Sequence, residues 1–575
     1  MNRKFFILAT AFSGFACSFT GAFAQEAPAR PINLIINPKG NTGATDPSPQ
    51  IIGHVGNYLF FTASPNGKTR KIYAKAVVHT KGGIDLVLRP EEIATKKYPL
   101  KPGPVAKGDV DNYVAEYDFT DDAKSVGFFH EKGKGLWRIA SHPFGAVFLK
   151  KTDTDPTGQD ADQMLSDVCI IDEVGQYPEG NRKQNLFPLA IFAAPNKKVG
   201  KELWVTNGTP GGTKVLDDID TNSTGSKKTF VAEGSFPEGM SAYFPELSAS
   251  YGGRAYFTAY NGTGYDLYEA VSNPNAGKHD PRITISGLFE RTAAFQFSLL
   301  VRPTGVTATP QGVFFVLPIT GEPNGEVWGY TPSDPTTGPY LVGGVDTNPG
   351  DLSPENMQFY RYCHFGDNQG YSFSGTDATY GREPYVAGNF AGAYISSLGD
   401  INAHGSGSSN PRNFTQADNT TFFVADPGDG NGEHLYRTNG TPDGYQDLGA
   451  FANIRDITPA VERFSNGDGN GGRVYFVADD PTNNNTPTLW QTVTYEDQVS
   501  SPNDSETPVR VLTAGFHPIL NPTHLSRLVT NGIAYLFFVC DGAGTEYETT
   551  TYKSNTSFEI GHQVWYVGEY ADNNP

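Results

Sequence analysis

The sequence has 575 residues, a formal charge of −19, 13% aromatic residues, 65 glycines and 41 prolines. An acidic balance of this size argues against nucleic acid and anionic lipid as partners, because phosphate binding wants a basic patch. Glycine, proline and aromatics in these amounts describe many short strands joined by turns, and no long helical period interrupts them.

The chain opens with Arg3 and Lys4, an apolar run from Phe5 to Ala16, and Ala22-Phe23-Ala24 ahead of Gln25. These are the three parts of a secretory signal, so cleavage after Ala24 is expected, with residues 25–575 as the mature, secreted or periplasmic domain. Thr10, Ser13, Ser18 and Thr20 break the run too often for a membrane anchor, and no later stretch is apolar enough to span a bilayer. Loss of the leader removes two basic residues and no acidic one, moving the formal charge to −21. Calcium, a neutral glycan or a basic partner is compatible with that charge. Three cysteines then remain, Cys169, Cys363 and Cys540, which cannot all be paired and fit no zinc or haem spacing.

The mature chain is a series of repeats. All five tryptophans, Trp137, Trp204, Trp328, Trp490 and Trp565, follow an apolar residue, a turn and an aromatic strand in the same order. Tyr73, Tyr268, Tyr385 and Tyr436 occupy the same slot in four further copies. Examples of the aromatic strand are Val313-Phe314-Phe315-Val316 ahead of Trp328 and Phe422-Phe423-Val424-Ala425 ahead of Tyr436. The nine slots are 51 to 75 residues apart. Each unit reads as four strands: an innermost one, the aromatic strand, the slot strand and an outer strand after a Gly turn. Thr206-Asn207-Gly208-Thr209-Pro210 and Thr438-Asn439-Gly440-Thr441-Pro442 are near-identical, and Asn-Gly suits a tight hairpin. One such unit cannot bury both of its faces, so units must stack, and radial stacking gives a β-propeller. The expected fold is therefore all-β, a single large propeller of eight or nine four-stranded blades.

Glu202-Leu203-Trp204-Val205-Thr206-Asn207-Gly208-Thr209 resembles the bacterial secreted repeat family named for its E-L-W-x-x-D-G-T motif, with Asn207 in place of the usual Asp. His434-Leu435-Tyr436-Arg437-Thr438-Asn439-Gly440-Thr441 is a second, weaker match. The resemblance implies β-propeller-type repeats and an extracellular setting, and it transfers no catalytic residues. Ile35-Ile36-Asn37-Pro38-Lys39-Gly40 looks like the end of an outer strand that precedes any unit, while the last unit stops after Trp565-Tyr566 without one. The N-terminal segment is thus expected to complete the last blade and close the ring. The last unit, widened by Glu546 to Phe558, is the one most open to being an elaboration instead of a blade.

Local catalytic signatures are missing: there is no sialidase box, haem site, nucleophile elbow or dinucleotide glycine motif. The chemistry-bearing cluster is Tyr360-Arg361-Tyr362-Cys363-His364, read as part of the sixth innermost strand. Tyr360, Tyr362 and His364 would share one face, and a Tyr/His pair with Arg361 suits proton abstraction beside a uronic carboxylate. The same residues also suit packing between blades, as do His524 and Arg527 on the last inner strand. Two loops have the composition of calcium sites. One carries Asp426, Asp429, Asn431 and Glu433, and the other Asn466, Asp468 and Asn470 without a terminal bidentate Glu. Plain solvated turns use the same residues. The expected function is a binding module for an extracellular glycan or protein. A polysaccharide lyase or hydrolase at the channel mouth, or a self-associating surface protein, remains the alternative.

Overall fold

The computed structural model describes residues 29–31 and, between 49 and 569, the strands with their shorter turns. Both termini, the longer stretches 32–48, 86–109, 153–167, 173–188, 222–234, 289–301, 343–354, 361–369, 460–472, 493–507 and 541–562, and several shorter gaps lie outside that description. Apart from one short hairpin (Val78–Thr80 with Gly83–Asp85), the described strands form nine antiparallel sheets, the first of three strands (Gln50–Val55, Tyr58–Ala63 and Lys71–Ala76) and the others of four, all meanders in chain order but for the N-terminal strand of the ninth. Each sheet's first strand lies beside the first strand of the next sheet, and the ninth returns to the first. The molecule is a nine-bladed β-propeller. Cys169 packs between blades three and four and Cys540 between blades eight and nine, while Cys363 lies outside the described residues.

Every slot aromatic sits on the third strand of its blade, directly opposite a phenylalanine of the second. The pairs are Phe61/Tyr73, Phe129/Trp137, Phe192/Trp204, Phe257/Tyr268, Phe315/Trp328, Phe373/Tyr385, Phe423/Tyr436, Phe476/Trp490 and Phe538/Trp565. Seven of these are recorded as stacked, with ring centroids from 5.4 Å for Phe423/Tyr436 to 6.5 Å for Phe476/Trp490. Each slot aromatic then packs toward the preceding blade. Trp137 joins a cluster with Phe60 of blade one, Trp204 one with Phe128 of blade two, and Tyr73 one with Phe537 of blade nine. The second strands are covered on both faces by neighbouring blades. That is why Val126–Glu131 and Thr420–Ala425 are buried at all six positions and read as continuous runs, not alternating ones.

The Glu that opens the E-L-W motif has a structural role. Glu202 is fully buried and accepts hydrogen bonds from the N–H of Ile219 (3.1 Å) and from the N–H (2.7 Å) and hydroxyl of Ser235. Glu383 repeats this with Ile401 (3.0 Å) and the N–H (2.9 Å) and hydroxyl (2.6 Å) of Ser409. In both blades the carboxylate ties the exit of the outer strand to the entry of the next blade. Burial outweighs the three donors and pushes the Glu202 carboxyl up to about 7, and it raises that of Glu383 as well.

Two details depart from expectation. The Asn207 turn is not a two-residue hairpin, because the strands end at Thr206 and resume at Lys214. Asn207 Oδ1 instead accepts from the N–H (3.2 Å) and hydroxyl (2.7 Å) of Thr209, a role an Asp carboxylate fills equally well. Gly208 has φ +74°, and a Cβ on Gly212 would lie 1.8 Å from Asn207 Oδ1, so both positions require glycine. The ring closure uses other residues than expected. Arg30–Pro31 forms the fourth strand of blade nine, with Arg30 opposite Tyr566 and Pro31 opposite Trp565, while residues 35–40 lie outside the described residues. Ala29, fully buried, donates its N–H to Leu512 O at 2.9 Å. The last unit is therefore a blade, made of Thr523–Thr530, Ile533–Cys540, Gln563–Glu569 and the N-terminal strand.

Two outcomes follow for stability. Trp204→Ala should cost about 3–5 kcal/mol in denaturant unfolding, and Trp204→Tyr, the residue four other blades use, clearly less. For Glu202, a folded-state pKa raised to about 7 means its contribution is greatest below the unfolded value near 4.5 and is lost as pH rises through 7. The wild type should lose stability relative to Glu202→Gln across that window, whereas Glu202→Ala, which strands three buried donors, should be destabilised by about 3 kcal/mol.

Candidate functional site

Antiparallel strands fix which parts of a blade share an end of the ring. The start of each innermost strand lies beside the end of the second strand, hence beside the loop joining second to third. This loop end of the channel is where described polar residues from several blades meet.

Eight of the nine innermost strands break register there or just beyond, and the third breaks it toward its other end, between Ile170 and Asp172. In four of them the break holds a residue in the left-handed region: Gly305 (φ 59°), Asn413 (56°), Asp456 (53°) and His524 (55°). Two residues on, Thr307, Thr415 and Thr458 each donate a hydroxyl hydrogen bond to the carbonyl of that residue, at 3.1 Å in all three. The bulges are therefore one repeated device. Glycine adopts this backbone at least cost, other residues give up on the order of 1 kcal/mol, and Asn, Asp and His are the types that tolerate it best among them. Asn413, Asp456 and His524 nevertheless occupy it on three successive blades, all exposed. Their inner strands, Arg412–Ala417, Ala452–Pro459 and Thr523–Thr530, are neighbours around the channel.

Ion pairs and hydrogen bonds brace this arc. The Arg412 guanidinium forks onto Glu433 (Nε 3.1 Å, Nη2 2.6 Å) and its Nη1 donates to Ile454 O at 3.2 Å, joining blade seven, its loop and blade eight. Asn453 donates to Asp479 at 2.6 Å, and Arg455 lies 3.7 Å from Asp456. On blades four and five, Arg302 pairs with Glu238 and lies 4.7 Å over the ring of Tyr265.

The sequence-derived candidates divide. Asp426, Asp429, Asn431 and Glu433 do flank the arc, but Glu433 is held by Arg412 and the other three bond within the loop itself. Asp426 accepts from Gly428 N–H and Asp429 from Asn431 N–H, each at 2.8 Å, and Asn431 Nδ2 donates to Asp429 at 2.8 Å. These bonds hold Asp429 below the ordinary carboxylate range. A calcium ion would compete with Asn431 and Arg412 for these oxygens. Among the described residues no three His, Cys, Asp or Glu are grouped closely enough to hold a metal ion. Asn466, Asp468 and Asn470 lie outside the described residues, as do Arg361, Tyr362 and His364. The sixth inner strand is described only to Tyr360, which pairs with Gly370 at the opposite end from the bulges. The arc residues Asn413 and Asp456 escaped sequence reading, although a signal was present. Pro303-x-Gly305-x-Thr307, Pro411-x-Asn413-x-Thr415 and Pro522-x-His524-x-Ser526 share one spacing ahead of the aromatic strand.

No family model matches the chain, and no curated protein matches it. Solved structures do. A chain from a structural and mechanistic study of two prolyl endopeptidases matches at 11% identity and TM-score 0.34, covering 76% of this chain and 55% of its own. A puromycin hydrolase matches at 10% and 0.33, covering 79% and 61%, and apo AztD from Citrobacter koseri at 9% and 0.33, covering 90% and 97%. The chain thus spans little more than half the length of the first two. Likeness at this level carries no argument about function. No helix among the described residues is long and apolar enough to cross a membrane.

The left-handed positions give a direct test of their purpose. Asp456→Gly and His524→Gly should leave the thermal midpoint unchanged or raise it, because glycine relieves the backbone. A marked fall in melting temperature would instead make these side chains structural.

Proposed function

We propose that the protein is a secreted or periplasmic binding module that holds an extracellular glycan or protein at the loop end of its ring, over blades seven to nine. The observation that carries this reading is the repeated placement of exposed Asn413, Asp456 and His524 in a backbone conformation that glycine would occupy at lower cost. Side chains kept against a backbone penalty at three equivalent, solvent-facing positions point to contacts with something outside the chain. Arg412 and Glu433 support the arc from below by fixing the flanking loop. The signal-like residues 1–24 and the E-L-W resemblance at Glu202–Thr213 support an exported setting. The absence of local catalytic motifs in the sequence fits binding better than turnover.

The test is retention of the mature protein, residues 25–575, on a panel of immobilised neutral and acidic polysaccharides, run beside the glycine variants. Binding in the wild type that weakens tenfold or more in Asp456→Gly or His524→Gly, with the melting temperature kept, supports the arc as the site. Equal binding by all variants refutes that placement. Unsaturated uronate products or new reducing ends would replace the binding reading with a carbohydrate-cleaving one, and Tyr362→Phe and His364→Ala would then be the variants to make.

A further inference from the structure

The left-handed positions of the arc come in pairs. Asn410, Asn453 and Asn521 stand three residues before Asn413, Asp456 and His524, and they too are left-handed, with φ 49°, 55° and 50°. Each pair is placed by the preceding blade. Asn410 N–H donates to Arg382 O at 3.2 Å, Asn521 N–H to Pro487 O at 2.8 Å, and Phe451 N–H, two residues ahead of Asn453, to Glu433 O at 2.9 Å. Arg382, Glu433 and Pro487 are equivalent, each three residues before its slot aromatic. Asn410 and Asn453 are exposed, and each donates Nδ2 to the protein, to Ser408 O at 3.2 Å and to Asp479 at 2.6 Å. Among the described residues the amide oxygens are then left to accept from a ligand.

Beside the first pair stands Tyr380, 46% exposed and one of two large hydrophobic side chains that are exposed among the described residues. It lies in the turn between Gly370–Asp377 and Gly381–Asn389 of blade six, at the loop end of the ring. The two residues after it are packed against the segment that leads to Asn410. Arg382 N–H donates to Ser408 Oγ at 2.9 Å, and a Cβ on Gly381 (φ +77°) would lie 2.7 Å from the same oxygen. The cations here are matched within the protein. Arg412 pairs with Glu433, Arg455 with Asp456 and Arg302 with Glu238, while Arg382 turns its Nη1 to Ser374 Oγ at 2.9 Å. A pyranose ring has an apolar face of C–H groups and a rim of hydroxyls. An exposed phenol ring suits that face, amides that both donate and accept suit the rim, and matched cations suit a ligand without charge. One device repeated on three successive blades suits a ligand that itself repeats. We infer that the ligand of the arc is a neutral polysaccharide and that Tyr380 is the platform on which one of its sugar rings lies, at the blade-six end. This rests on the binding reading above and narrows it from a glycan or protein to an uncharged glycan.

The experiment is retention of the mature protein on immobilised dextran, mannan and xyloglucan, which are neutral, and on alginate and pectate, which are acidic. Tyr380→Ala and Tyr380→Phe are run beside the wild type, with the melting temperature of each recorded. The wild type should be held by at least one neutral polymer and by neither acidic one. Tyr380→Ala should be held about tenfold more weakly, the worth of one stacked ring, at an unchanged melting temperature. Tyr380→Phe should bind as the wild type does. Full retention of Tyr380→Ala overturns the platform, and so does equal loss in Tyr380→Phe, which would make the hydroxyl and not the ring the contact. Retention by alginate or pectate alone, or by no polymer, overturns the neutral glycan. If acidic retention still falls in Asp456→Gly, the arc stands as the site and only the ligand class is lost.

Discussion

One cross-strand pairing recurs in all nine blades, the phenylalanine of the second strand directly opposite the slot aromatic of the third. Its place in the register settles much of the rest. Side chains alternate across a strand, so fixing one pair fixes which face of the blade meets its predecessor. In three of the five tryptophan slots the indole N–H also has an acceptor. It reaches Ala194 O from Trp204 at 2.8 Å and Ala478 O from Trp490 at 3.3 Å, each two residues beyond the paired phenylalanine. In blade two, Glu131 takes that position and accepts from Trp137 at 2.6 Å. Tyrosine keeps an aromatic ring opposite the same phenylalanine without this bond.

Packing demands of this kind are legible because they repeat as residue types. The slot, the aromatic strand and the four-stranded unit could all be read before any coordinates. The bulges were harder, because what they share is a backbone conformation. Gly305, Asn413, Asp456 and His524 have little in common as side chains, and only a proline two residues before three of them, with a threonine or serine two residues after all four, betrays a pattern. The Asn207 turn misled for the opposite reason. Asn-Gly has a well-known hairpin use, but here Asn207 folds its side chain over Thr209 and the loop runs to Lys214.

The candidate site was less legible than the fold. Its members are scattered, with Asn413, Asp456 and His524 each contributed by a different blade and a long stretch of chain between them. No local window contains two of them, and only the ring brings their strands side by side. The acidic loop Asp426–Glu433 was visible as composition, yet composition does not say whether carboxylates face a cation, a neighbour's arginine or their own backbone. The structure turns Asp426 to its own backbone, Asp429 to both the N–H and the side chain of Asn431, and Glu433 to Arg412.

The mixed origin of the ninth blade sets an order in time. The eight earlier sheets, the first with three described strands and the others with four, are each drawn from a continuous stretch of sequence. The ninth waits for both, since Arg30 and Pro31 pair with the strand Gln563–Glu569. In a chain that leaves the ribosome amino end first, the residues that emerge earliest are among the last to find their partners. Until then the strand Gln563–Glu569 is itself an unpaired edge, the state in which edges invite foreign strands. Ring closure is therefore also the step that ends this exposure.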